Sequence, residues 1–165
     1  MQGAQFEIIK RLAEDRDLSD AELTAILETD KYDPPLRECA DKVRRETYGD
    51  VVYVRGLIEF SNYCKNDCFY CGIRRSNKKL ERYRLSREEM LNCCHEGYKL
   101  GYRTFVLQSG EDPYYKTSDI CEIVSEIKSA YPDCAVTLSI GEKPREDSQA
   151  FFDAGADRYL LRHAT

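Results

Sequence analysis

Three cysteines lie close together in one short segment of the chain. Cys64, Cys68 and Cys71 are separated by three and then by two residues, in the run C-K-N-D-C-F-Y-C. Cysteine thiolates hold iron–sulfur clusters, and ordinary electron carriers use four of them. Three thiolates from one loop can bind three irons of a four-iron cluster and leave the fourth iron without a protein ligand. The spacing therefore predicts a 4Fe–4S cluster with one iron open for chemistry.

Other uses of these cysteines stay open at this point. A structural zinc site needs four Cys or His ligands, and the fourth would be His95, His163 or a distant cysteine, none at zinc-knuckle spacing. A disulfide would leave one cysteine over. Cys68 and Cys71 match the C-x2-C of thioredoxins, but that motif begins a helix and leaves Cys64 unexplained. A zinc or iron–sulfur binding protein without catalysis is the alternative from another functional class.

Composition limits the kind of protein. The chain has 165 residues, of which 42% are hydrophobic and 33% charged, and its net charge is −5. Acidic and basic residues are mixed, which argues against a nucleic-acid partner, and no apolar run approaches the ~18 residues of a membrane span. The first residues lack the basic and then apolar segments of a signal peptide. Eight cysteines without such a signal indicate a reducing compartment, so we expect a cytoplasmic protein with no membrane partner.

The spacing of apolar residues predicts the elements around the cysteines. Apolar residues at helical spacing and a capping box at Ser19–Glu22 predict a helical extension over residues 1–50. β-branched and aromatic residues predict a strand over residues 51–60, directly before the cysteines. Helices and strands then alternate: helix 86–100, strand 104–108, helix 117–130, strand 135–140, helix 147–154 and strand 158–161.

This alternation predicts an α/β fold with a parallel sheet, right-handed crossovers and helices outside the sheet. In barrels of this type the functional side chains follow the carboxyl ends of the strands. Here those ends carry the cysteines, Ser109–Glu111, Gly141-Glu142 and Arg162-His163. No helix follows the fourth strand before residue 165. We therefore expect residues 51–165 to form the first half of a barrel, truncated after strand four, in the N-terminal part of a longer protein.

The cysteine loop resembles the motif of the radical SAM superfamily. That motif is C-x3-C-x2-C after the first strand, and an aromatic residue, here Tyr70, precedes the last cysteine. The resemblance implies a partial radical SAM (β/α) barrel in which Cys64, Cys68 and Cys71 bind a 4Fe–4S cluster. S-adenosylmethionine (SAM) would bind the open iron and be cleaved reductively to a 5′-deoxyadenosyl radical. The cofactors supply that chemistry, while the protein orients them and excludes water.

The same resemblance implies contacts to SAM and leaves the catalytic residue unknown. Where the family has Gly-Gly-Glu after strand two, this chain has Ser109-Gly110-Glu111, so Glu111 would hold the methionyl ammonium. Tyr70 would lie against the adenine, and Arg162 would contact SAM as a fixed cation. The family often has a glutamate where this chain has Ala164, so one polar contact is missing. Three further residues at strand ends would line the cavity: Gln108, Thr137 and Ser139.

Longer segments resemble HydE, the radical SAM maturase of the iron–iron hydrogenases. They cover residues 55–75, 107–115, 136–142 and 154–163. Biotin synthase and methylornithine synthase are related families and are the alternatives within this class. The resemblance implies an enzyme of hydrogenase cofactor maturation that acts on a small molecule or an iron complex. It also implies partner maturases and a reductant of the flavodoxin or ferredoxin type.

The remaining polar features have structural interpretations. Five cysteines in predicted helices or at a strand start are expected to be buried: Cys39, Cys93, Cys94, Cys121 and Cys134. Arg74-Arg75 and Lys78-Lys79 form either a solvated turn or a docking face for an acidic electron donor. Tyr114-Tyr115, beside Glu111, are expected to wall the cavity.

Overall fold

This computed structural model describes the backbone of residues 2–161 and the side chains of residues 7–161. The chain divides into two compact units, Met1–Tyr53 and Val54–Thr165. The sequence predicts a helical extension over residues 1–50 and a barrel core over residues 51–165, and this assignment of domains stays a prediction. Within residues 2–161, no helix combines the length and the apolar character needed to cross a bilayer.

The first unit is helical, as the sequence predicts. It contains α1 (Gln2–Glu14), α2 (Asp20–Leu27), a short 3-10 turn (Asp30–Tyr32) and α3 (Asp33–Tyr48). Ser19 and Glu22 form the predicted capping box at the start of α2, with the backbone N–H of Ser19 donating to the Glu22 carboxylate at 2.9 Å. Ile9, Ile26 and Tyr32 form a small buried cluster.

The second unit is a four-stranded parallel sheet covered by helices, which confirms the predicted fold class. Its elements are β1 (Gly56–Ser61), α4 (Arg87–Lys99), β2 (Thr104–Ser109), α5 (Thr117–Ala130), β3 (Ala135–Ser139), α6 (Arg145–Asp153) and β4 (Arg158–Tyr159). The strands lie side by side in chain order, and each neighbouring pair is parallel. Because all strands run the same way, their carboxyl ends meet at one edge of the sheet.

The first predicted strand starts too early and the last ends too late. β1 pairs with β2 only from Gly56, opposite Phe105. Residues 51–54 precede the strand, are exposed and have no regular secondary structure. β-branched residues favour a pleated, half-buried surface, but they form a strand only where a neighbouring strand pairs with them. At the other end β4 stops at Tyr159, so Leu160 and Leu161 lie beyond the strand.

Alternation along the strands separates an apolar face from a polar one. Ile58, Phe105, Leu107, Val136 and Leu138 belong to the buried core, together with residues of α4, α5 and α6 such as Met90, Ile123 and Phe151. Successive side chains of a strand point to opposite faces. The other face therefore carries Glu59, Gln108 and Thr137, and this face leads to the carboxyl ends of the strands.

Candidate cofactor site

A cleft of about 360 Å³ opens at the carboxyl ends of β1, β2 and β3. Its volume is in the usual range of about 300–1,000 Å³ for small-molecule sites. The cleft brings together most of the residues predicted from the sequence: Cys64, Cys68, Cys71, Tyr70, Gln108, Glu111 and Ser139. Their roles as ligands or SAM contacts stay predictions. These residues lie close together because each of them is at, or just after, the carboxyl end of one of three neighbouring parallel strands.

Two predicted contacts fall outside this lining. Thr137 is buried on β3, beneath the cleft, and its Oγ1 has no hydrogen-bond partner among the described residues. Arg162 lies outside the described residues, and so does Ala164, where the family often has a glutamate. Their proximity to the cleft therefore stays a prediction.

The cysteine loop folds back on itself. The backbone N–H of Cys71 donates to the carbonyl of Cys68 at 3.0 Å in a tight turn, and the N–H of Arg75 donates to the carbonyl of Asn66, nine residues earlier, at 2.9 Å. Asp67 accepts a further bond from the N–H of Ser76 at 2.9 Å. Cys68 is exposed, Cys64 and Cys71 are half-buried, and all three are free thiols. The thiols are thus available to a group bound in the cleft.

The donor set fits an iron–sulfur cluster better than a single zinc ion. In the part of the chain that the structure describes, no three Cys, His, Asp or Glu side chains converge on one ion position. Tetrahedral zinc needs four ligands around one point. A 4Fe–4S cluster instead takes each thiolate on a different iron, so three thiols that line the same cleft suit it better.

Glu111 connects the cysteine loop to the end of β2. Its Oε2 lies 3.0 Å from the Nζ of Lys65, and its Oε1 accepts a hydrogen bond from the Asn66 side chain at 2.9 Å. The N–H of Lys65 also donates to the Glu111 carbonyl at 2.9 Å. Burial alone would raise the pKa of Glu111, but Lys65, the backbone of Glu142 and Asn66 together hold that pKa below its usual value. Glu111 is therefore an anion at neutral pH.

Two glycines allow this close approach. A Cβ on Gly110 would stand 2.2 Å from the carbonyl oxygen of Tyr63 and 2.8 Å from the Cβ of Cys64. Gly141 has a positive φ of 81°, and a Cβ there would stand 2.0 Å from the Cγ of Glu111. The turns after β2 and β3 therefore bring the backbone against the cysteine loop and against Glu111.

Asp112 anchors the start of the cysteine loop, and sequence reasoning missed it. Its buried carboxylate accepts bonds from Ser61 Oγ at 2.6 Å and from Arg84 Nε at 2.7 Å and Nη2 at 2.9 Å. A register shift in the β1–β2 pairing, between Glu59 and Ser61, places Ser61 for this bond. Burial opposes the charge, yet Arg84 and Ser61 hold the pKa of Asp112 below its usual range.

Arg84 extends this anchor to two tyrosines. Its guanidinium lies over the ring of Tyr63 at 3.8 Å and over the ring of Tyr114 at 4.6 Å. Tyr63 directly precedes Cys64, so the guanidinium that pairs with the buried Asp112 also holds the residue from which the loop departs. In the sequence near the site, only the position of Asp112 directly after Glu111, before Pro113, pointed to this carboxylate. Its partners are distant in sequence, and no spacing rule connects them.

The expectation that Tyr114 and Tyr115 wall the cleft is wrong. Tyr115 packs edge-on against Phe60, with ring centroids 4.9 Å apart, and its hydroxyl donates to the carbonyl of Leu85 at 2.6 Å. Burial raises the pKa of Tyr115 to about 12. Both tyrosines lie on the helix side of the sheet because β2 ends before them and the chain has already turned toward α5.

The expected burial of the other cysteines holds in part. Cys94 and Cys134 are buried, and Cys39 and Cys121 are half-buried, but Cys93 is exposed. Neighbouring residues of a helix point about 100° apart, so Cys93 and Cys94 cannot both face the core. In the basic segment, Arg75, Lys78 and Lys79 are exposed, whereas Arg74 is half-buried and donates to the Cys71 carbonyl at 3.2 Å.

Known proteins are similar to this chain in both sequence and fold. The [FeFe] hydrogenase maturase subunit HydE of Thermotoga maritima is 51% identical over 134 residues, which are 81% of this chain and 38% of that protein. The crystal structure of methylornithine synthase superposes with a TM-score of 0.82 at 28% identity, over 93% of this chain and 46% of that one. This chain belongs to the radical SAM superfamily.

Within the radical SAM superfamily, several enzymes are similar to this chain. A 3-methylornithine synthase of Methanosarcina acetivorans is 36% identical over 73% of the chain and 35% of its own length, and biotin synthases also match. No family model matches. The chain spans less than half the length of the HydE and methylornithine synthase relatives, and its four-stranded sheet corresponds to part of their radical SAM barrel.

Proposed function

We propose that this chain forms the cluster-binding part of a HydE-like radical SAM enzyme that acts in maturation of the iron–iron hydrogenase cofactor. The observation that carries the proposal is the cleft that Cys64, Cys68 and Cys71 line together with Glu111. Three thiols and one half-buried anion at the carboxyl end of a parallel sheet provide the two polar groups that the cofactors need: ligands for a cluster and a partner for an ammonium group.

Each residue of the cleft has a distinct role in this proposal. The three thiolates hold the 4Fe–4S cluster, which supplies, when bound, the electron that cleaves the sulfonium C–S bond of SAM. Glu111 neutralises the methionyl ammonium, because it is half-buried and ionised. Tyr70, which lies in the lining of the cleft, packs against the adenine. Ser139 and Gln108 contribute polar groups to the wall, and Arg162 pairs with SAM as a fixed cation.

The HydE-like assignment is supported by sequence identity. Identity to the hydrogenase maturase is 51%, against 36% for the methylornithine synthase. The substrate proposed for the HydE-like enzyme is a small molecule or an iron complex, and its partners are other maturases and an acidic reductant. Exposed Arg75, Lys78 and Lys79, close in sequence to the exposed Cys68, give such a reductant a basic surface near the cluster.

A methylornithine-synthase-like activity is the second candidate. It is favoured by the TM-score of 0.82 with the solved methylornithine synthase. Two different assays distinguish these activities. The first restores hydrogenase activity to a maturation mixture that lacks its HydE subunit, and the second forms 3-methylornithine without any hydrogenase.

Anaerobic reconstitution with iron and sulfide tests the cluster, the claim common to both candidates. After reduction, we expect the EPR signal of a four-iron cluster, and we expect its g-values to shift when SAM is added. Cys68→Ala should abolish the cluster, whereas Cys93→Ala, a change at another exposed cysteine, should leave it intact. A full cluster in the Cys68 variant, or an EPR signal that does not change when SAM is added, would falsify the proposal.

A further inference from the structure

Arg82 holds both ends of the cysteine loop through backbone carbonyls. Its Nη1 donates to the carbonyl of Asn62 and, at 2.9 Å, to that of Ile73. Its Nη2 donates to the carbonyls of Arg74 at 2.7 Å and Asn77 at 3.4 Å. Asn62 precedes the first cysteine of the loop, and the other three acceptors follow the last one. One half-buried guanidinium therefore connects the residues that precede the cysteines to the residues that follow them.

Asn62 in return holds the irregular segment around Arg82. Its side-chain Nδ2 donates to the carbonyl of Glu81 at 2.8 Å, and its Oδ1 accepts from the backbone N–H of Tyr83 at 2.8 Å. The residues on both sides of Arg82 are thus bonded to the residue whose carbonyl Arg82 binds. This reciprocal arrangement fixes the guanidinium without any contact to a carboxylate among the contacts described for it.

We propose that Arg82 is a positioning residue that keeps the cysteine loop closed before the cluster binds. This inference rests on the proposed function, since it assigns Arg82 a role in loading the same site. A loop that is already ordered loses less conformational entropy when its thiols engage a metal centre, so it binds more tightly. Arg82 acts through the backbone of the loop and does not touch the cofactors.

The planar guanidinium is essential to this role. It presents five N–H donors in a rigid plane, which is how one side chain satisfies four carbonyls that belong to separate turns. A lysine in the same place keeps the positive charge but has only three donors on a single nitrogen. Arg82→Lys therefore removes the bridge across the loop while it preserves the charge near the cluster.

The alternative interpretation is that Arg82 stabilises the fold as a whole and has no specific effect on the cysteine loop. The contacts argue for a local role, because all four acceptors lie in residues 62–77 and none lies in β2, β3 or the helices. Arg103 offers the matched comparison. Its Nη1 also donates to two backbone carbonyls, those of Tyr98 and Tyr102, but it lies at the start of β2, at the opposite end of the strand from the cleft.

Hydrogen exchange and cluster loading of Arg82→Lys and Arg103→Lys test the inference. In the metal-free protein we expect amides of residues 64–77, such as that of Arg75, to exchange at least about tenfold faster in Arg82→Lys, with β2 and β3 unchanged. At limiting iron we expect several-fold less cluster in this variant and a broadened EPR signal from unevenly placed thiolates. Arg103→Lys should match the wild type in all three measurements.

Two outcomes would overturn the inference. Loop exchange and cluster loading equal to those of Arg103→Lys would show that Arg82 does not order the loop. Faster exchange throughout β2 and β3 would show a general structural role instead. A wild-type protein that takes up no cluster would refute the proposed function. The metal-free exchange comparison would still decide whether Arg82 holds the loop closed.

Discussion

The ammonium of Lys65 lies 3.0 Å from Oε2 of Glu111. Lys65 stands between the first two cysteines of the loop, whereas Glu111 follows β2, so this ion pair joins the loop to the sheet. Glu111 is also the residue that the proposed function assigns to the ammonium of SAM. The lysine side chain is 61% exposed, whereas the glutamate side chain is only 15% exposed. Lys65 is therefore the more exposed partner, and under the proposed function it would compete with the ammonium of SAM for the Glu111 carboxylate.

Removing this competitor should strengthen SAM binding. We expect Lys65→Met to lower the dissociation constant of SAM about two- to fivefold in the cluster-loaded protein, the modest effect of an exposed ion pair. Titration of the EPR shift with SAM measures it. Lys78→Met, at another exposed lysine close to the loop, should leave the affinity unchanged. Weaker binding in Lys65→Met would show instead that the lysine holds Glu111 in place for SAM.

The buried carboxylate of Asp112 should make the free energy of unfolding depend on pH. Its pKa is held below its usual range by Arg84 and Ser61, so its bonds stabilise the fold fully above the unfolded pKa of about 4. That stabilisation disappears as the pH falls through the lower, folded pKa. We expect Asp112→Asn to cost about 2–3 kcal/mol at pH 7, and the difference from wild type to shrink below about pH 4.

Denaturant titration of both proteins at pH 7, 5 and 3.5 measures this difference. Asp133→Asn is the control, because Asp133 forms its ion pair with Arg103 at the surface, where both side chains are about half exposed. It should change the free energy of unfolding by less than about 1 kcal/mol at any pH. A cost for Asp112→Asn that stays the same from pH 7 to pH 3.5 would contradict the role of the charge.

A methyl group at Gly110 should displace the cysteine loop. The new Cβ would lie 2.2 Å from the Tyr63 carbonyl oxygen, which no side-chain rotation can relieve. We expect Gly110→Ala to lose about 1–3 kcal/mol of stability and to load less cluster. Gly72→Ala, where a Cβ meets nothing within 4 Å, should stay within about 0.5 kcal/mol of wild type. Equal behaviour of the two variants would mean that the loop does not press on β2.

The adjacent cysteines of α4 should differ in reactivity. Burial raises the pKa of Cys94 to about 12, and the thiolate is the reactive form. At pH 8 we expect iodoacetamide to modify exposed Cys93 at least about a hundredfold faster than Cys94, as seen by peptide mass mapping. Cys68 should react in the metal-free protein and be protected after cluster loading. Comparable rates at Cys93 and Cys94 would contradict the packing of α4.

Local patterns in the sequence account for the features that were predicted well. The cysteine spacing lies within one short segment, and each predicted strand or helix depends on the pattern of its own residues. The order β1-β2-β3-β4 in the sheet is a finding of the structure. The strand start at Val51 was wrong for the same reason. The propensity of Val51–Val54 is local, but pairing with β2 begins at Gly56.

The supports of the site could not be predicted in this way. Ser61 and Asp112 are 51 residues apart, and Arg84 and Asp112 are 28 apart. The sequence contains many other charged residues that could pair equally well on spacing alone. Only the assembled sheet, with the turn after β2 pressed against the loop after β1, selects these partners. The same holds for Arg82, whose acceptors are backbone carbonyls with no sequence pattern.

The long separation between Ser61 and Asp112 has a consequence for biosynthesis. At about 5–20 residues per second, a ribosome adds Asp112 roughly 3–10 seconds after Ser61. During that interval the three thiols have been made, but neither Glu111 nor the buried anchor of their loop exists. Under the proposed function, a nascent chain that has reached residue 100 would carry all three cluster ligands and no shaped site. The shaped site would then form only after the second strand has been made and paired, however early the cysteines emerge.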